Sequence, residues 1–211
     1  MSALESALLR GAGFRHGFSI RPWDFRSDRE ASEDAIALVL RLPRRIVQVS
    51  QVHGARAVLA PCERTEEADA IVAREGDTAV GVRVADCVPV LLASSKTGAV
   101  AAVHAGWRGV VARVVDAAFE LGDFDLAAIG PCIGACCFEI GDDVAAKLAP
   151  HAKDRHGDLR AAVRAQLLAR GLQNAHIEDV PGCTRCDAER FFSHRRDGDA
   201  AGRHLAVIAT W

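Results

Sequence analysis

Residues 79–109 read AVGVRVADCVPVLLASSKTGAVAAVHAGWRG. Ala79 to Ala85 is apolar at almost every position and rich in valine, the composition of a strand. Asp86-Cys87-Val88-Pro89 follows at once. Proline has no N–H for a ladder, so Pro89 is expected to mark a kink or an edge before extended structure resumes over Val90 to Ser94. Gly98 to His104 is a further run of the buried type, closed by Ala105-Gly106-Trp107-Arg108-Gly109.

Upstream, residues 46–53 (IVQVSQVH) read as a strand whose alternation puts Val47, Val49, Gln51 and His53 on one face. Residues 56–59 read as its partner. Downstream, residues 110–121 have the amphipathic period of a helix stopped by Gly122, and 126–129 form a short strand. Residues 140–148 and 158–172 read as helices, Asp187 as the cap of a helix over 188–194, and 202–209 as a final strand. Residues 21–45 carry no readable pattern. The strands cluster at 46–105, which predicts an α+β chain rather than a doubly wound sheet, as one domain over 1–211.

Half of the 211 residues are hydrophobic, and 26 basic against 28 acidic side chains leave a net charge of −2. That balance gives no electrostatic case for nucleic acid or an anionic membrane as partner. No apolar stretch nears the roughly 20 residues of a spanning helix. Residues 1–17 lack the basic-then-apolar order of an export signal. Seven cysteines is an odd count. With no export signal, it points to a reducing compartment, the cytoplasm, and to thiols or metal ligands. The chain is expected to be a monomer.

His53, Cys87 and His104 share one context, each ending an expected strand. Imidazole and thiolate bind zinc well, and three protein ligands leave a fourth position for water or substrate. The ligands lie 34 and 17 residues apart with no compact motif, so spacing alone favours a buried thiol and two ordinary histidines. Trp107-Arg108-Gly109 leads into a helix directly after His104. Helix N–H groups and the Arg108 guanidinium suit an anion, against a plainer reading of core packing and a solvated charge. Asp86 is either an acceptor for a ligating imidazole or a turn residue. Cys132, Cys136 and Cys137, with Cys183 and Cys186, offer a four-cysteine zinc site. The CxxxC spacing of the first pair is unusual, and the reading favours buried thiols. Arg195-Arg196-Asp197-Gly198 reads as a helix end and turn, or as a second anion contact.

Gln51-Val52-His53-Gly54, Ala85-Asp86-Cys87-Val88-Pro89 and Val103-His104-Ala105-Gly106-Trp107-Arg108-Gly109 together resemble the laccase-domain family. That family is also labelled polyphenol oxidase-like, multicopper-laccase-type purine nucleoside phosphorylase, or peptidoglycan editing factor. Further matches are His16-Gly17-Phe18-Ser19, Gly130-Pro131-Cys132-Ile133-Gly134, Phe138-Glu139-Ile140-Gly141 and Phe191-Phe192-Ser193 to Gly198, so the resemblance runs from about Phe14 to the end. It implies an α/β sandwich of mixed sheets flanked by helices, with zinc on His53, Cys87 and His104; copper, which binds such donors more tightly than zinc, is also able to enter that site. It implies phosphorolysis of adenosine, inosine and guanosine, with adenosine deamination and cleavage of S-methyl-5′-thioadenosine. Arg108 and Arg196 would hold phosphate, Arg21 and Gln51 would contact substrate, and Asp86 or Glu139 would move the proton. The family's Gly-Gly-Val-Ser run is missing after Ser19, where Ile20-Arg21-Pro22-Trp23-Asp24-Phe25 stands instead.

Three other functions remain open. One is an amidase at the same metal, removing a wrong amino acid from a cytoplasmic cell-wall precursor. Another is a metal-free hydrolase with Cys87 as nucleophile and His104 as base. The third is a binding protein with a structural metal. A copper-cluster oxidase is not expected, because the eight histidines include no HxH pair.

Overall fold

The computed structural model describes residues 3–26 and 29–210; Met1 and Ser2, which head the segment read for an export signal, lie outside them. In chain order the elements are β1 Ala3–Leu4, α1 Ala7–Gly11, β2 His16–Ser19, α2 Arg29–Leu40, β3 Ile46–Val47, β4 Ala57–Leu59, β5 Ala70–Ala73, β6 Ala79–Val84, β7 Val88–Ala93, β8 Val100–Ala105, α3 Trp107–Val111, α4 Val114–Phe119, β9 Leu126–Ile129, α5 Asp142–Leu148, β10 Ala152–Lys153, β11 His156–Gly157, α6 Leu159–Ala169, β12 Ile177–Asp179, α7 His194–Asp197 and β13 His204–Ala209. A five-stranded sheet runs β1-β2-β13-β6-β3 and a six-stranded sheet β12-β9-β7-β8-β5-β4. Both are mixed. β3 lies parallel to β6, β4 to β5 and β12 to β9, and the remaining pairs are antiparallel.

The two sheets face each other through Val80 and Val82 of β6, Ala206 and Ile208 of β13, Leu91 of β7 and Ile71 of β5. The outer face of the larger sheet, with Val90, Leu92 and Val103, is covered by Val110, Val114, Val163 and Leu167 of α3, α4 and α6. The outer face of the smaller sheet, with Leu205 and Val207, is covered by Ile36 and Ala37 of α2 and by Phe25. The result is a helix–sheet–sheet–helix sandwich. Burial on both faces explains why β7, β8 and β13 are apolar throughout instead of alternating.

Several sequence expectations change. Pro89 makes no edge or kink: it sits inside β7 opposite His104, and its carbonyl accepts from Gly130. The expected strand over 46–53 is only Ile46–Val47, and it pairs with β6 rather than with residues 56–59. His53 lies in the following loop with φ 60. The expected helix over 110–121 starts earlier, at Trp107, and is broken into α3 and α4 by Arg113 at φ 62. The helix expected over 188–194 is a set of turns, and α7 begins only at His194, capped by Ser193. Residues 21–45 hold α2, whose weak apolar stripe left no legible period.

Two histidines are buried in the smaller sheet. His204 Nε2 accepts the Phe192 N–H at 2.6 Å, and His16 Nε2 accepts the Ser6 N–H at 2.8 Å, so both rings are neutral. Burial, then the nearby Arg21 charge, lowers His204 to about 3. Burial also lowers His16. An unfolded histidine takes a proton below about pH 6.5, which the folded chain refuses. Stability is therefore expected to fall as pH drops below about 6.5, by up to about 1.4 kcal/mol per pH unit for each ring. Urea unfolding of wild type and His204→Gln between neutral and mildly acidic pH checks this. An equal slope in the variant counts against His204 as a source.

Candidate metal centre and active-site cleft

The chain passes from the smaller sheet to the larger one twice at the same end of the sandwich. One crossing is the β3–β4 loop carrying His53, and the other is Ala85–Cys87 between β6 and β7. β8 runs antiparallel to β7 and delivers His104 to that end. One ligand atom from each of His53, Cys87 and His104 lies within 4.8 Å of the others, a group able to hold a metal ion. The two imidazoles meet edge to face with centroids 4.8 Å apart. Gly106 is required by close approach: a Cβ there would sit 3.0 Å from Cys87 Sγ and 3.2 Å from His53.

Asp69, immediately before β5, organises this group and was not singled out in the sequence. Its carboxylate is fully buried. It accepts the N–H groups of Val52 (3.3 Å), His53 (3.0 Å) and Gly54 (2.6 Å), and it pairs with His104 Nδ1 at 2.7 Å. The three loop donors hold His53 in its left-handed conformation. The fourth contact fixes the His104 ring and leaves Nε2 for the site. Burial pushes the Asp69 carboxyl up, but His104 and the loop N–H groups outweigh it and hold it below the usual carboxylate range.

In the metal-free chain, burial raises the Cys87 thiol, but His104 and His53 outweigh this and bring it down to about 6. Burial lowers His104, while the Cys87 charge and Asp69 bring it up to about 9. Each group thus favours the other's charged form, and a divalent ion joining the pair would displace the imidazole proton.

The group opens into a cleft of about 600 Å³. Arg26, Arg83, Arg108, Arg195 and Arg203 line it against one carboxylate, Asp86, with Trp107, Ile133 and Phe138 as apolar walls. The arginines are not equivalent. Arg26 and Arg203 donate to backbone carbonyls, and Arg195 donates to the Glu139 carbonyl. Arg83 projects from β6, and its buried Nε has no hydrogen-bond partner among the described residues. Arg108 lies on the Trp107 ring at 4.4 Å. Among the described residues, Arg83 and Arg108 are thus the cleft arginines whose guanidinium groups donate no side-chain hydrogen bond to the protein.

The other expected site residues divide. Gln51 lines the cleft, but its amide clamps the Arg83 backbone, donating to the carbonyl and accepting from the N–H at 2.8 Å each. Asp86 is no acceptor for an imidazole: it accepts Thr184 Oγ1 at 2.6 Å and the Arg195 N–H at 2.6 Å, and Asp69 takes the role expected of it. Arg196 is not an anion contact. It is bound to Asp197 and to the carbonyls of Thr184, Arg185 and Phe191, while its neighbour Arg195 faces the cleft. Arg21 lies over Phe192 and 3.9 Å from Asp197, outside the cleft lining. Glu139 is exposed on a neighbouring hollow with Asp154 and Arg155. The expected helix-end anion site is weakened, because α3 has five residues and little dipole.

A sandwich that gathers an imidazole–thiolate–imidazole group in an arginine-lined cleft defines a class of metal-competent α/β protein. The chain belongs to the family described as multi-copper polyphenol oxidoreductase laccase, whose profile matches residues 22–211. It is 42% identical over 163 residues to adenosine deaminase RL5 of an unknown prokaryotic organism, covering 68% of this chain and 62% of that one. It is 37% identical over 161 residues to a purine nucleoside phosphorylase of Bacteroides thetaiotaomicron, covering 66% and 60%. It is also 37% identical over 182 residues to purine nucleoside phosphorylase YfiH of Escherichia coli, covering 79% and 74%. The chain thus spans about 60% of the length of the first two relatives. The crystal structure of YlmD from Geobacillus stearothermophilus superposes with a TM-score of 0.84 at 27% identity, covering 100% of this chain and 96% of that one. No helix among the described residues is long and apolar enough to cross a membrane.

Proposed function

We propose that the protein is a zinc-dependent purine nucleoside phosphorylase that also deaminates adenosine. The observation that carries this is the His53–Cys87–His104 group at the floor of a cleft with two uncommitted guanidinium groups. The names of the relatives supply the reaction class. The residues present fit zinc: two imidazoles and a thiolate, a carboxylate behind one imidazole, and a cleft on the open side. Bound by His53, Cys87 and His104, zinc would supply a Lewis acid at the floor of the cleft.

The chain's own residues do the rest. Arg83 and Arg108 neutralise phosphate and aim one of its oxygens at the anomeric carbon of the nucleoside. The bond from that carbon to the purine nitrogen breaks as the new C–O bond forms, giving free base and ribose 1-phosphate. Charge at the carbon is oxocarbenium-like, so placing the anion close to it carries much of the rate. Trp107 and Phe138 offer apolar faces to the base. Asp69 keeps His104 oriented, and the Gln51 clamp holds Arg83 in register. In deamination the same cleft binds adenosine, water is the second reactant, and ammonia leaves.

The purified protein, loaded with zinc, is incubated with adenosine with and without phosphate and its products are separated chromatographically. Adenine and ribose 1-phosphate are expected only with phosphate, and inosine without it. No product under either condition overturns the reading. Activity that survives metal stripping but ends on thiol alkylation would assign Cys87 as a nucleophile instead. Arg83→Gln is expected to raise KM for phosphate about 10- to 100-fold, the loss of a charged hydrogen bond of about 1.5–3 kcal/mol. Deamination should change much less. Equal loss in both reactions removes Arg83 from the phosphate site.

A further inference from the structure

Four of the seven cysteines lie together away from the cleft floor. Cys136 and Cys137 end the turn that starts at Gly130, and Cys183 and Cys186 close the turn before α7. The expectation of buried thiols fails here, since Cys136 and Cys186 are exposed. Cys132, the other candidate, is buried and apart from the four, with its sulfur on Arg160.

We propose that Cys136, Cys137, Cys183 and Cys186 form a second metal site, a closed tetrathiolate zinc centre that ties two walls of the cleft together. All four sulfurs lie within 4.8 Å of one another. The separations are 3.6 Å (136–137), 3.7 Å (136–183), 3.7 Å (136–186) and 3.2 Å (137–186). A tetrahedron with Zn–S bonds of about 2.3 Å has edges of about 3.8 Å. The sulfurs therefore already stand near the corners of a zinc site, and far beyond the roughly 2.05 Å of a disulfide.

Donors lie beside two of the sulfurs. The Gly134 N–H donates to Cys183 Sγ at 3.2 Å. The Arg185 guanidinium lies near Cys137 and would offset part of the negative charge of a metal-bound tetrathiolate. Apolar burial does not explain the cluster, because two of its members face solvent. Four protein ligands fill the coordination of zinc, so the centre is structural and offers no place to a substrate, unlike the three-ligand group at His53.

Its position gives it a consequence. The first segment also carries Ile133 and Phe138, which line the cleft. In the second, Thr184 stands between the cysteines and donates to Asp86, the residue before Cys87. A bridge between Cys132 and Cys183 joins the two segments next to the sulfurs. Zinc here holds the outer wall of the cleft in register with its floor.

The test counts zinc per chain in protein kept under reductant. Wild type is expected to hold two equivalents. Cys87→Ala should keep one, and adding Cys183→Ser and Cys186→Ser should leave none. Cobalt in the Cys87→Ala protein should give the intense thiolate-to-metal charge-transfer band of a sulfur-only tetrahedral site. In that folded protein, alkylation of exposed Cys136 and Cys186 should wait for a chelator, a readout that survives even if the triple variant does not fold. Zinc-free Cys87→Ala protein, or immediate alkylation of both cysteines, overturns the proposal. If wild type holds a single zinc that Cys87→Ala retains, the second centre stands and the His53 site is the one that fails.

Discussion

Cys87→Ala is expected to abolish both phosphorolysis and deamination and to remove one metal equivalent per chain while the sandwich stays folded. Cys87 sits where the chain crosses between the sheets, with its sulfur against His53 and His104. Alanine leaves two imidazoles, one of them at a loop, as the whole donor set. Loss of a Lewis acid removes several kcal/mol of transition-state stabilisation, and at tenfold per 1.36 kcal/mol that is a drop of about 10³ or more in kcat/KM. Metal analysis and product chromatography on the same sample check both halves. Full activity in the variant sinks the ligand set and the thiol-nucleophile alternative together.

Asp69→Ala should be the most damaging single change outside the ligands. It strips acceptors from three loop N–H groups and from the His104 ring at once. Buried groups left unpaired cost about 1–3 kcal/mol each, so a loss of several kcal/mol in stability is expected, read as a lower urea midpoint. Asp69→Asn is the discriminating variant. It keeps the shape and one acceptor, and it should fold. Losing the carboxylate behind a ligating imidazole should still weaken zinc about 10- to 100-fold. Competition with a chromophoric chelator measures that. Unchanged affinity in Asp69→Asn would reduce Asp69 to a loop anchor.

The His53, Cys87 and His104 group was legible because an expected strand end carrying a histidine or cysteine recurs three times, with a glycine after each histidine, and because the segments resemble a known family. Asp69 was not. It is one acidic residue at the end of Glu66-Glu67-Ala68-Asp69, and only the fold shows that its carboxylate points inward. Arg83 left a trace, a charge inside an apolar strand, whose meaning depends on β6 reaching the cleft. The sequence does not separate Arg195 from Arg196, because a four-residue helix has too few turns for its face to be read. The layering was legible from the uninterrupted apolar runs of β7, β8 and β13. Pro89 misled because a single missing N–H is harmless beside a strand end, where its carbonyl still pairs with Gly130.

The two crossings at one end of the sandwich bear on how the protein holds together. His53 hangs from the segment leaving one layer, and His104 is carried by the other. An ion gripping both would act as a clasp across the layers. By mass action, loading it at 100 times its dissociation constant would raise resistance to unfolding by about 2.7 kcal/mol. Chemistry and cohesion would then share one bond set, and a fragment carrying a single layer would inherit neither.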